Sequence, residues 1–246
     1  MAKFNSTQWS VVLLAGGDGA DAREALATLC RTYRPPVLAF IRARGYAADA
    51  IDDLAQEFFT QLIEHAWHVD ADPARGRFRA FLLIALKRFL IDVEVQTRAQ
   101  KRGGGFRFRS LEQDTTDPSG ILADDDTPEV AFDQTWAATV IDSAKRRLRA
   151  EAAAAGKLDL YEQLCEFLGE RPDEADYERI AETLQMRRNT LAVAVHRLRH
   201  RLRELVRDEL AQTTANRAQQ DAEWRDLRRS FGRIMQDAEE NGSKPL

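Results

Sequence analysis

Apolar residues recur at every third or fourth position through most of the chain, which is the spacing of amphipathic helices. In the segment Ile51–Trp67 one face is apolar, and the opposite face carries Asp52, Asp53, Gln56, Glu57, Thr60 and Glu64. A similar pattern runs from about Arg77 to Lys101, and another begins near Pro128. The sequence shows no convincing alternation at period two over the length of a strand. The pattern therefore predicts an all-α fold.

Helix-breaking residues divide this pattern into two helical domains. Pro35 and Pro36 are predicted to separate two helices, and the stretch RGGG ends the helix that begins near Arg77. Turn residues and acids with little apolar content follow, which is typical of an extended linker. We predict a helical domain over 1–110, an acidic linker over 111–134, a second helical domain over 135–212 and a C-terminal extension over 213–246.

The polar face of the Ile51–Trp67 helix contains carboxylates but no Lys or Arg. Ion pairs between residues one turn apart therefore cannot form within this helix. Such a face either stays in solvent, where it keeps the protein soluble, or binds a cationic partner. For the helix taken alone, the solvated face is the simpler interpretation.

Charge is strongly segregated along the chain, although the formal net charge is only −4. Residues 75–109 and 187–207 are rich in Arg and Lys, whereas residues 112–133 contain Asp and Glu without any Lys or Arg. Two basic blocks separated by an acidic segment indicate two sites for a polyanion, joined by a connection that does not bind it.

A helix-turn-helix is predicted between Asp176 and Leu205. Its first apolar stripe comprises Tyr177, Ile180, Ala181 and Leu184. After the interruption QMRR, the second stripe comprises Leu191, Val195, Leu198, Leu202 and Leu205. The first residues of the second helix would contact base edges, and its arginines would contact phosphates. The outward face of this helix comprises Arg188, Asn189, Ala192, Val193, His196, Arg199 and His200. The alternative is a basic amphipathic helix in a bundle, with solvated arginines.

Other classes of protein fit the sequence poorly. Cys30 and Cys165 match no metal-ligand spacing, which favours a reduced, intracellular setting. His65 and His68 lack a nearby third ligand, so we expect no metal. The longest apolar run is too short to span a bilayer, and no nucleophile or phosphate-loop motif is recognisable. We expect a cytoplasmic protein with no enzymatic activity, cofactor, membrane association or small-molecule substrate.

Three segments resemble bacterial sigma factors of the extracytoplasmic-function (ECF) group. They are DDLAQEFF, FRAFLLIALKRFLID and YERIAETLQMRRNTLAVAVHRLRHRLREL, which begin at Asp52, Phe78 and Tyr177, and the likeness extends over residues 1–212. In that family a flexible linker joins a region-two helical domain to a region-four helix-turn-helix. The resemblance implies a promoter-specificity subunit whose partners are core RNA polymerase and promoter DNA.

The resemblance also implies residues for each contact. The basic coiled coil of the largest polymerase subunit would bind Asp52, Asp53, Gln56 and Glu57. The melted minus-ten element would be held by Arg79, Phe81, Lys87, Arg88 and Arg98, with Phe81 serving either as a base platform or as a core residue. Region four would bind the upstream element through Arg187, Arg188, Asn189, Thr190, His196, Arg197 and Arg199.

The sequence departs from the family pattern at two places. The region-four turn usually has Gly, Met and Ser, whereas this chain has Gln185, Met186 and Arg187. Both the left-handed turn residue and the helix cap are therefore poorer. Arg88 replaces an Asn that is common near the end of the second motif. We expect the family fold to transfer to this chain more faithfully than the family's promoter contacts.

The segments STQWSVVLLA and LCRTYRPPVLAFIRARGY are similar to a subgroup often encoded beside Ser/Thr protein kinases. Thr60, on the acidic helix, is therefore a candidate phosphorylation site, and a kinase or an anti-sigma protein is a candidate regulator. The C-terminal extension either docks as a helix or stays solvated, and its apolar residues are Trp224, Leu227, Phe231, Ile234 and Met235.

Two alternative functions stay open at the level of sequence. The first is a free-standing regulator that binds DNA through the helix-turn-helix without polymerase. The second is a helical interaction module that sequesters a signalling partner and has no promoter activity.

Overall fold

The computed structural model describes residues 20–64, 77–100, 127–169, 173–214 and 216–230. Within these ranges the chain has no strand, and the predicted all-α fold is confirmed. The helices are α1 Ala20–Ala43, α2 Ala48–Glu64, α3 Phe78–Gln100, α4 Pro128–Ala154, α5 Leu158–Leu164, α6 Glu174–Leu184, α7 Arg188–Gln212 and α8 Arg217–Ser230. A 3-10 helix, Cys165–Leu168, follows α5. None of the described helices is long and apolar enough to cross a lipid bilayer.

Helix α1 passes through Pro35 and Pro36 without a break, so the predicted separation into two helices is wrong. Proline removes a backbone donor and usually kinks or ends a helix. Here the apolar stripe continues on both sides of the prolines and is buried, through Leu29, Tyr33, Val37, Phe40 and Ile41. Packing of this stripe, mainly against α4, offsets the local penalty.

The main core joins α1, α2, α3, α4 and the second half of α7. Tyr33 of α1 packs edge to face on Phe78 of α3, with 5.0 Å between ring centroids. Phe40 of α1 packs in the same way on Phe132 of α4, at 6.5 Å. Such edge-to-face pairs are favourable arrangements of buried aromatic rings. The two segments predicted as separate helical domains therefore contribute to one core in this structure.

Helix α4 begins before the predicted linker boundary at residue 134. Thr127 caps it by accepting a hydrogen bond of 3.3 Å from the backbone N–H of Val130. Pro128 occupies the first helical position, where a missing N–H leaves no hydrogen bond unmade. Residues 128–134 of the predicted linker therefore belong to α4, whereas residues 111–126 lie outside the described residues.

Helices α6 and α7 form the predicted helix-turn-helix. Asp173 and Asp176 make a reciprocal capping box at the start of α6. Both predicted apolar stripes face inward, and the second runs along α7 from Leu191 to Leu205. A smaller core holds the two helices together through Leu164, Phe167, Ile180, Leu191 and Val195. The second half of α7 lies in the main core, so one helix connects the helix-turn-helix to the rest of the fold.

Candidate functional site

The polar face of α2 is exposed from Asp52 to Thr60, as its periodicity predicts, and the Glu64 side chain lies outside the described residues. Phe58 and Phe59 on the opposite face are buried in the main core. The residues expected to meet polymerase are all exposed, namely Asp52, Asp53, Gln56 and Glu57. The amphipathic packing of α2 thus presents these side chains on one surface.

Asp52 is paired with a cation, which the pattern of α2 alone did not indicate. Arg34 Nη2 on α1 donates a hydrogen bond of 2.7 Å to Asp52 Oδ1. The cation comes from a neighbouring helix, which the absence of Lys and Arg within α2 does not exclude. Both side chains are more than half exposed, and an exposed pair of this kind contributes about 0–1 kcal/mol to stability.

Thr60 extends the same surface by one helical turn. Its hydroxyl donates a hydrogen bond of 3.0 Å to the backbone carbonyl of Gln56, and its side chain is exposed. Gln61 Nε2 donates to Glu57 Oε1 at 3.1 Å, which positions that carboxylate. The name acidic surface is used below for Asp52, Asp53, Gln56, Glu57 and Thr60.

The turn between α6 and α7 has the poor local stabilisation that its sequence predicts. Gln185 lies in the left-handed region with φ of 52°, where a side chain with a Cβ costs roughly 1–2 kcal/mol. Arg187 is the N-cap of α7, and its side chain makes no capping hydrogen bond. The turn therefore depends on the smaller core for its geometry.

The N-terminal end of α7 presents a row of exposed polar side chains, namely Arg187, Arg188, Asn189, Thr190, His196 and Arg197. Arg188 Nη1 donates a hydrogen bond of 2.6 Å to Glu174 Oε1 on α6. The Arg188 guanidinium also lies 5.7 Å from the centroid of the Tyr177 ring. These contacts hold Arg188 across the turn beside α6.

Arg199 makes a contact within the protein at the back of the helix-turn-helix. Its Nε donates a hydrogen bond of 2.8 Å to the backbone carbonyl of Phe167. Because Phe167 precedes α6, this bond fixes α7 against the preceding helical segment. Arg199 thus has a structural contact in addition to its predicted contact with DNA.

Arg79 of α3, which the resemblance assigns to the minus-ten element, is buried in this structure. Its Nε donates to Glu223 Oε2 at 2.9 Å and its Nη2 donates to Asp226 Oδ2 at 2.7 Å. Its Nη1 donates to Asp133, and its guanidinium lies 4.3 Å from the centroid of the Trp136 ring. The pattern of α3 alone could not show that α4 and α8 cover this side chain.

Arg77 extends this group, which is named the Arg79 cluster and comprises Arg77, Arg79, Asp133, Glu223 and Asp226. Arg77 Nη1 donates to Asp226, and its Nε lies 3.7 Å from Glu223 Oε1. Burial raises the pKa of Glu223, and the two arginines lower it only in part. Burial also raises the pKa of Asp226, but Arg77 and Arg79 together bring it below its ordinary value. Each buried charge therefore depends on its partners for stability.

The other predicted minus-ten residues are placed differently along α3. Lys87 Nζ lies 2.7 Å from Glu129 Oε1 on α4. Phe81 is partly buried against the main core, with its ring centroid 6.3 Å from that of Phe78. Arg88 is partly buried, and the Arg98 side chain lies outside the described residues. The structure therefore brings carboxylates of α4 to two predicted cations, Arg79 and Lys87.

A family model described as ECF sigma factor matches residues 42–204, which is more than half of the 246-residue chain. The chain belongs to the ECF sigma factor family. These proteins are regulatory, DNA-binding factors of transcription initiation. The matched range contains the acidic surface, α3 and the exposed end of α7, and it ends before α8. No curated protein and no solved structure matches the chain.

The ECF sigma factor motifs did not indicate the Arg79 cluster, because Glu223 and Asp226 lie beyond the matched range. The prediction of a docking helix in that segment rested on its apolar residues, among them Trp224 and Leu227. The spacing places Glu223 one helical turn before the apolar Leu227, on the same face of a helix. The sequence does not show that this face is covered by Arg77 and Arg79, which are more than 140 residues away.

Among the residues that the structure describes, no group of His, Cys, Asp and Glu is arranged to hold a metal ion. His65 and His68 lie outside those residues.

Proposed function

We propose that this protein is a sigma subunit that binds core RNA polymerase and directs promoter-specific transcription initiation. The observation that carries the proposal is the presence of an exposed acidic surface and a helix-turn-helix within the range that matches the family. The acidic surface suits a cationic protein partner, and the helix-turn-helix suits duplex DNA.

In this proposal the acidic surface docks on the basic coiled coil of the largest polymerase subunit. Asp53 and Glu57 supply exposed negative charge, while Asp52 exchanges Arg34 for a polymerase cation. The exchange costs little because the Arg34–Asp52 pair is exposed. Complementary charge also increases the rate of association and fixes the orientation of the complex.

Promoter DNA would contact two surfaces of the same chain. At the start of α7, Arg188 and Asn189 would reach base edges of the upstream element, and Arg187 and Arg197 would contact phosphates. Region two would hold the opened minus-ten strand on α3. The cations of α3 would contact phosphates, and the edge of the Phe81 ring would contact an unstacked base. The free energy of strand opening would come from these contacts.

Regulation is a further part of the proposal. The likeness to the kinase-associated subgroup and the exposed hydroxyl of Thr60 support a Ser/Thr kinase as a regulator. An anti-sigma protein that covers the acidic surface is the other candidate. A polymerase subunit would work in the cytoplasm, beside the chromosome.

Co-purification with core polymerase, followed by transcription in a reconstituted system, tests this function. The expected result is a stable complex and a start-site-specific transcript that depends on the added chain. DNA binding without polymerase binding would instead identify a free-standing helix-turn-helix regulator. Binding to neither would identify a helical interaction module.

A further inference from the structure

Helix α8 packs on α4 and α7, and charged side chains join it to the start of α3. Leu227 is fully buried and Trp224 is partly buried, with the Arg207 guanidinium 4.9 Å from the centroid of the Trp224 ring. Among the residues of α8 that the structure describes, the other buried side chain is the carboxylate of Glu223. The Arg79 cluster therefore joins α8 to the start of α3.

The Arg79 cluster has the chemistry of an anion site that is already occupied. Asp226 Oδ2 contacts both Arg77 and Arg79, and Glu223 contacts the same two arginines through its two oxygens. Guanidinium groups bind phosphate with the same planar, bidentate geometry that they use for carboxylate. A phosphate could therefore replace a carboxylate in this site without leaving either arginine unpaired.

The occupied site lies at the start of the helix that is proposed to receive single-stranded DNA. Lys87, further along α3, is likewise engaged by a carboxylate, that of Glu129 on α4. Two predicted cations of α3, Arg79 and Lys87, thus contact acids of the protein itself. A DNA strand would therefore have to compete with carboxylates of α4 and α8 for Arg79, and with a carboxylate of α4 for Lys87.

We propose that phosphates of single-stranded DNA compete with Glu223 and Asp226 for Arg77 and Arg79, so that α8 closes the region-two DNA site in the free protein. When DNA enters, its phosphates become the partners of the two arginines, and α8 leaves the start of α3. The inference rests on the proposed function, because it concerns the same α3 surface. It adds Arg77 to the DNA contacts and assigns a regulatory role to the C-terminal extension.

Because DNA binds only those molecules in which the site is open, the apparent affinity equals the intrinsic affinity multiplied by the open fraction. The full-length variants Asp226→Asn and Glu223→Gln each remove one competing charge. Asp221→Asn is a matched control, because Asp221 is an exposed carboxylate on the same helix. With a fluorescein-labelled mixed-sequence single strand of about 20 nucleotides, we expect either variant to bind at least about tenfold more tightly than the control, by fluorescence anisotropy.

Hydrogen exchange on the unaltered chain provides a second readout that requires no substitution. Saturating single-stranded DNA should increase amide exchange in α8, because the helix loses its contacts with α3. Equal affinities of the three variants, or unchanged exchange in α8 at saturation, would overturn the inference. If either variant loses its helical circular dichroism signal, the exchange experiment on the unaltered chain decides alone.

Failure of the inference can be distinguished from failure of the proposed function. A chain that binds core polymerase and gives a specific transcript, while its α8 variants bind the single strand like the control, retains the function and lacks the competition. A chain that does not bind polymerase, while its α8 variants gain affinity for the single strand, lacks the function and retains the competition.

Discussion

Lys87 and Glu129 are joined by an ion pair of 2.7 Å between Nζ and Oε1, which links α3 to the first turn of α4. Burial raises the pKa of Glu129, but the hydrogen bond and charge of Lys87 bring it below its ordinary value. Asp133, one turn further along α4, contacts Arg79 of α3. Acids at the end of the 112–133 block thus neutralise cations of the first basic block within the same molecule.

Charge reversal on the acidic surface should weaken polymerase binding. We expect Asp53→Lys combined with Glu57→Lys to reduce affinity for core polymerase at least tenfold, about 1.4 kcal/mol, because both side chains are exposed and would repel a cationic partner. Helical circular dichroism should be unchanged. Asp159→Lys, at an exposed position on α5, is the control. Retention of full affinity by the double variant would exclude the acidic surface as the polymerase interface.

Two arginines on α7 should affect promoter binding in different ways. Arg188→Ala should cost about 1–3 kcal/mol and alter base preference if Arg188 contacts a base edge. Arg197→Ala should weaken binding to all sequences alike and reduce the salt slope by about 1, as expected for a phosphate contact. Binding titrations at several salt concentrations measure both effects. If neither substitution changes affinity or salt dependence, α7 does not bind DNA through this face.

The left-handed residue of the turn can be tested by its effect on stability. Gln185→Gly should raise the free energy of unfolding by roughly 0.5–1 kcal/mol, because Gly adopts a positive φ without steric cost. Gln185→Ala is the matched control, since Ala retains a Cβ and should give no such gain. Urea unfolding measures the difference. A glycine variant no more stable than the alanine variant would show that the turn is not strained.

Phosphorylation of Thr60 should strengthen polymerase binding, because a phosphate adds roughly −1.5 to −2 charges to the acidic surface. The expected gain is at least tenfold, about 1.4 kcal/mol. Affinities for core polymerase are compared among the unmodified protein, the protein phosphorylated at Thr60 and Thr60→Ala. Equal binding of all three would eliminate Thr60 as the regulatory site.

A pH-dependent ion pair connects α4 to α7. Arg201 donates two hydrogen bonds of 2.8 Å to the two oxygens of Glu151, which lowers the pKa of that carboxyl. A folded-state pKa below the unfolded value of about 4.3 means that the pair stabilises the fold above that pH and loses its effect as the pH falls through the folded-state value.

The contribution of this pair should be below about 1 kcal/mol, because both side chains are substantially exposed. Unfolding of Glu151→Gln, Arg201→Met and the double variant gives the coupling free energy. We expect the coupling to decrease as the pH is lowered from about 5 toward about 2. A coupling that stays constant over this range would show that it does not depend on the Glu151 charge.

The sequence predicted those features that depend on the periodicity of a single helix. The exposed acidic surface of α2 and the two stripes of the helix-turn-helix follow from which positions are apolar, because each stripe has only one way to face a core. Gln185 and Arg187 were likewise predictable, since a local turn and a helix cap depend on neighbouring residues.

Features that depend on contacts between distant helices were not predictable in this way. Asp52 forms an ion pair with Arg34, and Arg79 forms one with Glu223, although the partners are distant in sequence. The continuity of α1 through Pro35 also depends on burial against α4, which no local propensity reveals. The sequence pattern of a helix predicts which face is polar, but the packing of other helices determines whether that face is exposed to solvent.

Helix α7 is continuous over 25 residues, which corresponds to about 37 Å. Its first half carries the predicted base-reading side chains, and its second half is clamped in the main core by Leu202, Leu205 and Leu210. Because α7 is one continuous helix, a rotation of its buried second half also moves its exposed first half. If α7 binds promoter DNA as proposed, packing among α1, α4 and α7 determines the angle at which its first half approaches the DNA. Core substitutions remote from DNA should then change the spacing between promoter elements that the protein accepts.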